Sequence, residues 1–257
     1  MLRAAIPLLF LFFVPAASAV TNPKPLQTRT SSARPAPLVP ARPLLESNVL
    51  ESTGFPQPYW FDERIHNLGN VGLVGGLHAA IAPIITHVID RLAYKNVDAR
   101  RQVHKTISAK LDVVDLACGV GFSSVKGATG VDTSKEMLGI ARLRRPDVTF
   151  VEGNAETYGA DASHDVCTIM FATHEMPRDG RQRVLANAMR VARKYVLVVD
   201  ICPSFRPTEV MLTGEPYVLD YLEHIDADVR LAAANRAWRT SKWHIVKGHV
   251  VMWRLDL

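Results

Sequence analysis

The chain has 257 residues, 48% of them hydrophobic and 21% charged, enough apolar material to bury one α/β core. Of its 30 basic and 25 acidic residues, five basic ones (Arg3, Lys24, Arg29, Arg34, Arg42) and no acid fall in residues 1–45, so the rest balances at 25 of each. That balance argues against a nucleic-acid partner, and Cys118, Cys167 and Cys202 have neither a disulfide-framework nor a zinc spacing.

Residues 1–19 read as a secretory signal peptide: Arg3 supplies the positive start, residues 6–14 are apolar, and Ala17, Ser18 and Ala19 form a small-residue cleavage pattern. The apolar run is too short to span a bilayer, so no stable membrane insertion is expected once the leader is removed. Residues 20–45 are rich in Pro, Ser, Thr and Arg without acids, the composition of a transit peptide or a disordered linker. Together they resemble the bipartite presequence of algae with complex plastids, although Val20 and Thr21 stand where an aromatic residue is usual. The chain has no Asn-x-Ser/Thr acceptor site. Plastid is the first expected destination, secretion or a lumenal compartment the second.

Residues 46–110 are expected to form an N-terminal helical cap. Ile85, Val88, Ile89 and Leu92 recur at three and four, predicting a helix over residues 84–94, and the small-residue glycine-rich stretch 71–83 before it suggests close packing or a lid. A second helix is expected over residues 97–109. From residue 111 to 257 short β-like runs alternate with helical ones: strands over 111–116, 128–131, 148–151, 165–171 and 195–200, and helices over 135–144, 178–192 and most of 208–238. A hairpin over 244–246 and 249–254 closes the order. Ser134 is placed to cap the helix that Pro146 stops. Alternation of this kind predicts an α/β fold with a mainly parallel sheet and helices on both faces.

The first strand closes on Asp115 and turns through Gly119 and Gly121, at the strand ends where parallel sheets bind ligands. A dinucleotide fits this loop poorly. Ser124 stands where the third glycine or alanine belongs, Asp132 is closer than the usual ribose-binding acid, and Asp115 would repel a pyrophosphate. S-adenosylmethionine carries a sulfonium and an ammonium instead, for which an acid at Asp115 is favourable.

Asp115, Leu116, Ala117, Cys118, Gly119, Val120 and Gly121 resemble the first motif of the class I (Rossmann-like) S-adenosylmethionine-dependent methyltransferases. The similarity continues through Gly130–Ser134, Gly153–Glu156 and Asp165–Pro177. It implies a seven-stranded, mostly parallel sheet with an N-terminal helical extension, S-adenosylmethionine as cofactor, and a small-molecule acceptor. It further implies that Asp115, Ala117, Gly119 and Gly121 hold the aminoacyl part. Asp132 would accept from the ribose hydroxyls with Thr133 beside it, Asn154 and Ala155 would lie by the adenine, and Phe171 would be a further cofactor-binding residue. Two positions depart from the pattern: Asn154 stands where Asp is common, and ten residues between Gly121 and Asp132 leave room for only a very short crossover helix.

His174 and Glu175 follow the fourth strand and are the catalytic candidates. His174 would act as a base or cap the next helix, and Glu175 would orient it, bind the acceptor, or favour that helix's N-terminus. Positioning and desolvation alone often suffice for methyl transfer, and no metal is called for. Acceptor selection is expected in residues 59–94 and 207–224. Tyr217, Tyr221 and His224 share a helix face that reads as packing before pocket. The apolar stretch 71–83 hints at a hydrophobic acceptor such as a quinone or lipid precursor. A silent methyltransferase-like binding protein and a nicotinamide oxidoreductase are the alternative readings.

Overall fold

The computed structural model describes residues 58–62, 64–65 and 72–257; the expected leader and transit-like segment, residues 1–45, lie outside them. Strand β1 (Val113–Leu116) is buried throughout, as a strand covered on both faces must be. It pairs in parallel with β2 (Thr129–Asp132), which pairs in parallel with β3 (Thr149–Glu152). On its other side β1 pairs in parallel with β4 (His164–Met170), and β4 with β5 (Ala192–Ile201). The antiparallel strands β6 (Arg239–Val246) and β7 (Val250–Asp256) complete a seven-stranded sheet of order β3-β2-β1-β4-β5-β7-β6. The chain runs outward from β1 to β3 and then returns to β4 on the opposite side. The carboxyl ends of β1 and β4 therefore flank a topological switch point, where ligands enter such sheets.

Two apolar layers clothe the sheet. One joins Leu185, Met189, Tyr221, Ile225 and Trp253; the other joins Tyr94, Val103, Leu197 and Met252. The hairpin strands run longer than expected because β6 is exposed over most of its length and so lacks the alternation that marks a half-buried strand.

The helices differ most from expectation at the N-terminal side. Helix α1 (Gly72–Leu92) begins twelve residues before the expected start and runs through its glycines and Pro83. The Glu136 carboxylate accepts from the Gly72 N–H at 2.8 Å, satisfying one of the amides a helix start leaves open. Helix α2 (Ala99–His104) is shorter than expected; the Asp98 carboxylate caps it by accepting from the Arg101 N–H at 2.8 Å. Helix α3 (Lys135–Arg144) matches its expected span, with the Ser134 hydroxyl accepting from the Met137 N–H. Helix α4 (Arg178–Val191) leads directly into β5. The expected long helix is divided into α5 (Glu209–Gly214) and α6 (Val218–Ala234), since Gly214 and Pro216 interrupt the ladder.

No helix forms between β1 and β2, where a very short one was expected. Gly119, Gly121 and Gly127 take φ of +52°, +77° and +80°, a hand that breaks a right-handed helix. Helix α1 packs over that turn instead: its Ala79 meets Val120 of the loop and Met137 of α3, with Ala82, Phe122 and Ile140 around them.

Candidate active site

The carboxyl ends of β1, β2, β3 and β4 open into a cavity walled on the far side by α1 and by Tyr59, Trp60 and Ile65. The β1–β2 turn contributes Ala117, Cys118, Gly119 and Val120; β2 ends on Asp132 and Thr133; Gly153, Asn154 and Ala155 follow β3; Phe171, Ala172, Glu175 and Met176 follow β4. Of the residues named from sequence as cofactor-binding, Ala117, Gly119, Asp132, Thr133, Asn154, Ala155 and Phe171 thus share one cavity.

Asp132 is tied into the loop it faces. One carboxylate oxygen accepts from the Gly119 N–H at 2.8 Å and the other from the Ser134 N–H at 2.9 Å. Burial pushes its pKa up, and the two amide donors pull it back. The carboxylate therefore caps the strand end while it lines the cavity. The Asn154 side-chain oxygen accepts from the Glu156 N–H at 2.8 Å, and the Asn187 amide donates to the Ala155 carbonyl at 2.8 Å. Ala117 and Phe171 hold φ of +57° each, a strained backbone that persists because the surrounding sheet ends enforce it.

Gly121 serves packing as well as the loop: a Cβ there would stand 2.6 Å from the Phe150 ring. Gly121 and Asp115 do not line the cavity. Asp115 is fully buried behind its floor, accepting from the Ser124 hydroxyl at 2.7 Å and the Thr168 hydroxyl at 2.7 Å. Burial raises its pKa to about 6, against the pull of those two hydrogen bonds. Because the folded value lies above the unfolded one, ionising Asp115 costs the fold. The penalty grows as pH climbs from about 4 to 6 and is fully present above that, at roughly 3 kcal/mol. Asp115→Asn, whose amide can donate to rotated hydroxyls, is expected to raise the stability of the ligand-free protein at pH 8 by about 1–3 kcal/mol and to have little effect near pH 4. Urea unfolding at the two pH values reads this; a variant less stable at pH 8 would contradict it.

His174 lies outside the cavity. It is 3% exposed on the short 3-10 turn Thr173–Glu175, with Nδ1 2.6 Å from an Asp200 oxygen. The other Asp200 oxygen accepts from the Thr173 hydroxyl at 2.6 Å and the His174 N–H at 3.2 Å. Burial disfavours the imidazolium, but the carboxylates of Asp200, Glu215 and Glu175 outweigh it and raise the pKa to about 9. A histidine already charged at neutral pH and held by a buried aspartate is poorly suited to take a proton. The geometry pairs it with Asp200, outside the cavity. Glu175 reaches the cavity wall, with a carboxylate oxygen 4.0 Å from His174 Nε2.

Three features of the wall carried no motif. Tyr59 and Trp60 line the cavity, and Tyr59 lies so close over Gly180 that a Cβ there would stand 2.7 Å from the ring. His78, Ala82 and Thr86 present one side of α1 to the cavity, a spacing of four that the helical period could have suggested. Arg100 is the only Lys or Arg among the lining residues described, its guanidinium 4.3 Å from the centre of the Phe171 ring. The stripe of Tyr217, Tyr221 and His224 is packing: the Tyr221 hydroxyl donates to the Ile201 carbonyl at 2.6 Å, and the Tyr217 hydroxyl donates to Asp62 at 3.0 Å.

Residues 113–195, which carry β1 to β4 and the start of β5 along with this cavity floor, match the model of a methyltransferase domain. Over these residues the chain is similar to methyltransferase domains. An uncharacterised methyltransferase of Synechocystis is 32% identical over 124 residues, covering 43% of this chain and 58% of that one. A demethylmenaquinone methyltransferase of Renibacterium salmoninarum is 32% identical over 142 residues, covering 49% and 59%. The chain thus spans less than two thirds of the length of these relatives. Among solved structures, the methyltransferase domain of bacterial CtHen1-C superposes with a TM-score of 0.51 at 15% identity, over 63% of this chain and 98% of that one, a likeness of fold.

The residues present suit S-adenosylmethionine. The Ala117–Val120 turn, Asp132 and Glu175 line the cavity while Asp115 lies beneath. Against these acids stands the single Arg100. That donor set complements a ligand with two cationic centres and one carboxylate.

Proposed function

We propose that the chain transfers a methyl group from S-adenosylmethionine to a small, apolar acceptor. The observation that carries the reading is the convergence of the glycine turn, Asp132 and Arg100 on one cavity beneath a wall of Tyr59, Trp60 and α1. The cofactor, when bound, supplies an electrophilic methyl on a sulfonium. On this reading Asp132 accepts from the ribose hydroxyls, the Asp115 charge favours the ammonium from beneath the loop, and Arg100 takes the carboxylate. Tyr59, Trp60 and the His78–Ala82–Thr86 side of α1 exclude water and seat the acceptor. Glu175, the acid beside Ala172 and Met176, orients the acceptor or receives its proton. Support for an apolar acceptor comes from Tyr59, Trp60, Ile65 and Ala82 on this wall and from the likeness to demethylmenaquinone methyltransferases.

Calorimetric titration with S-adenosylmethionine, S-adenosylhomocysteine and NAD tests the reading. Both methionine-derived ligands are expected to bind and NAD is not. Arg100→Gln should weaken S-adenosylmethionine about tenfold or more, the worth of a charge-assisted hydrogen bond, and leave decarboxylated S-adenosylmethionine nearly unaffected. NAD binding, or no binding at all, would overturn the assignment. Equal losses for both sulfonium ligands would remove Arg100 from the carboxylate.

A further inference from the structure

Helix α1 presents a second face that the cavity does not use. Leu73, Leu77, Ala80, Ile84, His87 and Arg91 follow one another at steps of four and three, so they form a single line along the helix. All six are exposed, Leu73 at 96% and Ile84 at 66%. A surface helix on a water-facing wall carries charge in this position; here residues 72–89 contain no Asp, Glu, Lys or Arg. Residues 72–89 are apolar enough to enter a membrane, with mean hydropathy 1.6, and only 22% of them are buried, so the composition is not explained by a core role.

The line ends in basic residues. Residues 87–110 hold six Lys or Arg against two Asp, and Arg91, Lys95, Arg101 and Lys105 are exposed. An apolar helix face that passes into a cationic cluster matches the depth profile of an anionic bilayer surface, with acyl boundary first and headgroups after. A second copy of the chain fits less well. The three-turn apolar stretch is about 16 Å long and one side chain wide, on the order of 200 Å² against the roughly 800 Å² per partner of a stable interface.

We infer that the exposed face of α1 docks on an anionic lipid bilayer, with Leu73, Leu77 and Ile84 entering the acyl boundary and the exposed Arg91, Lys95, Arg101 and Lys105 meeting the headgroups. The His78–Ala82–Thr86 side of the same helix then places the cavity wall at the membrane surface. That an apolar acceptor enters there directly rests on the proposed function; the docking does not.

Flotation of the full chain with vesicles of phosphatidylcholine, alone and mixed with phosphatidylglycerol, tests this. Binding is expected to need the anionic lipid and to fall with salt. Leu77→Glu/Ile84→Glu, at two exposed positions, should lower the bound fraction roughly tenfold or more with an unchanged circular dichroism spectrum and unchanged S-adenosylmethionine titration. Arg91→Glu/Lys95→Glu should remove the preference for phosphatidylglycerol. Binding that survives both variants would place attachment elsewhere in the chain and overturn the inference, as would absence of binding. A concentration-dependent dimer in sedimentation, abolished by Leu77→Glu/Ile84→Glu without vesicle binding, would make this face a contact between copies and also overturn it. Retained cofactor binding alongside failed flotation sinks the docking alone; failed cofactor titration of the unsubstituted chain sinks the functional reading alone.

Discussion

Asp132→Ala is expected to weaken S-adenosylmethionine binding by about thirtyfold or more, ~2 kcal/mol, the worth of charge-assisted hydrogen bonds from two ribose hydroxyls. The loss has a second source. Both carboxylate oxygens already accept backbone amides, from Gly119 and Ser134, so the substitution orphans two donors and loosens the turn that faces the ligand. Asp132→Asn is expected to fail as a rescue, because an amide offers one acceptor oxygen where the site uses two and sets its NH2 against a backbone N–H. Calorimetry on both variants reads the affinity, and thermal unfolding without ligand reads the loop. A variant that binds as tightly as the unsubstituted chain would show that the ribose is held elsewhere.

Breaking the His174–Asp200 pair is expected to produce the largest loss of stability. Asp200 is fully buried and accepts from Thr173, from the His174 backbone and ring, and from the Ile201 N–H at 2.8 Å. Asp200→Ala leaves a charged imidazole and two amides without an acceptor, at a cost of about 3–5 kcal/mol. His174 carries a raised pKa, from 6.5 to about 9, so its contribution is fully present below pH 6.5 and is lost as pH rises through 9. Urea unfolding of the unsubstituted chain and of His174→Gln is expected to show a gap of roughly 3 kcal/mol at pH 6 that narrows towards pH 10. In turnover with any acceptor found, the same variant should lose activity in proportion to its loss of folded protein. Full stability with abolished turnover would return His174 to the chemistry.

These two residues mark the division between what was legible in the amino-acid order and what was not. Asp132 could be named because its setting is local: a β-like run, an acid at its end, a hydrophilic cap two residues on, and a fixed distance from a glycine turn. The same locality accounts for β1 to β5 in their right order and for the α3 cap at Ser134. His174 was equally visible as a polar residue after a strand, but its role is set by Asp200, twenty-six positions away and brought beside it by parallel pairing of β4 with β5. Asp115 likewise was placed with the ligand, whereas Thr168, on the neighbouring strand, draws its carboxylate beneath the floor. Arg100 stands in no motif; it reaches the cavity because α2 packs against the sheet near the end of β4, where the Phe171 ring receives it.

The N-terminal wall follows the same logic. Periodicity pointed to the second half of α1 and stopped at the glycines and Pro83, residues with poor intrinsic preference for a helix. The helix continues through them because the β1–β2 turn, having no helix of its own, leaves Val120 and Met137 to be covered, and α1 covers them. Strand order, the glycine turn and its acids arise from neighbours along the chain, where side-chain period and backbone freedom act directly. The partners of Asp115 and His174, the cation at Arg100 and the reach of α1 arise from surfaces that meet only after the sheet has assembled, and burial and charge pairing between distant segments leave no period in the sequence.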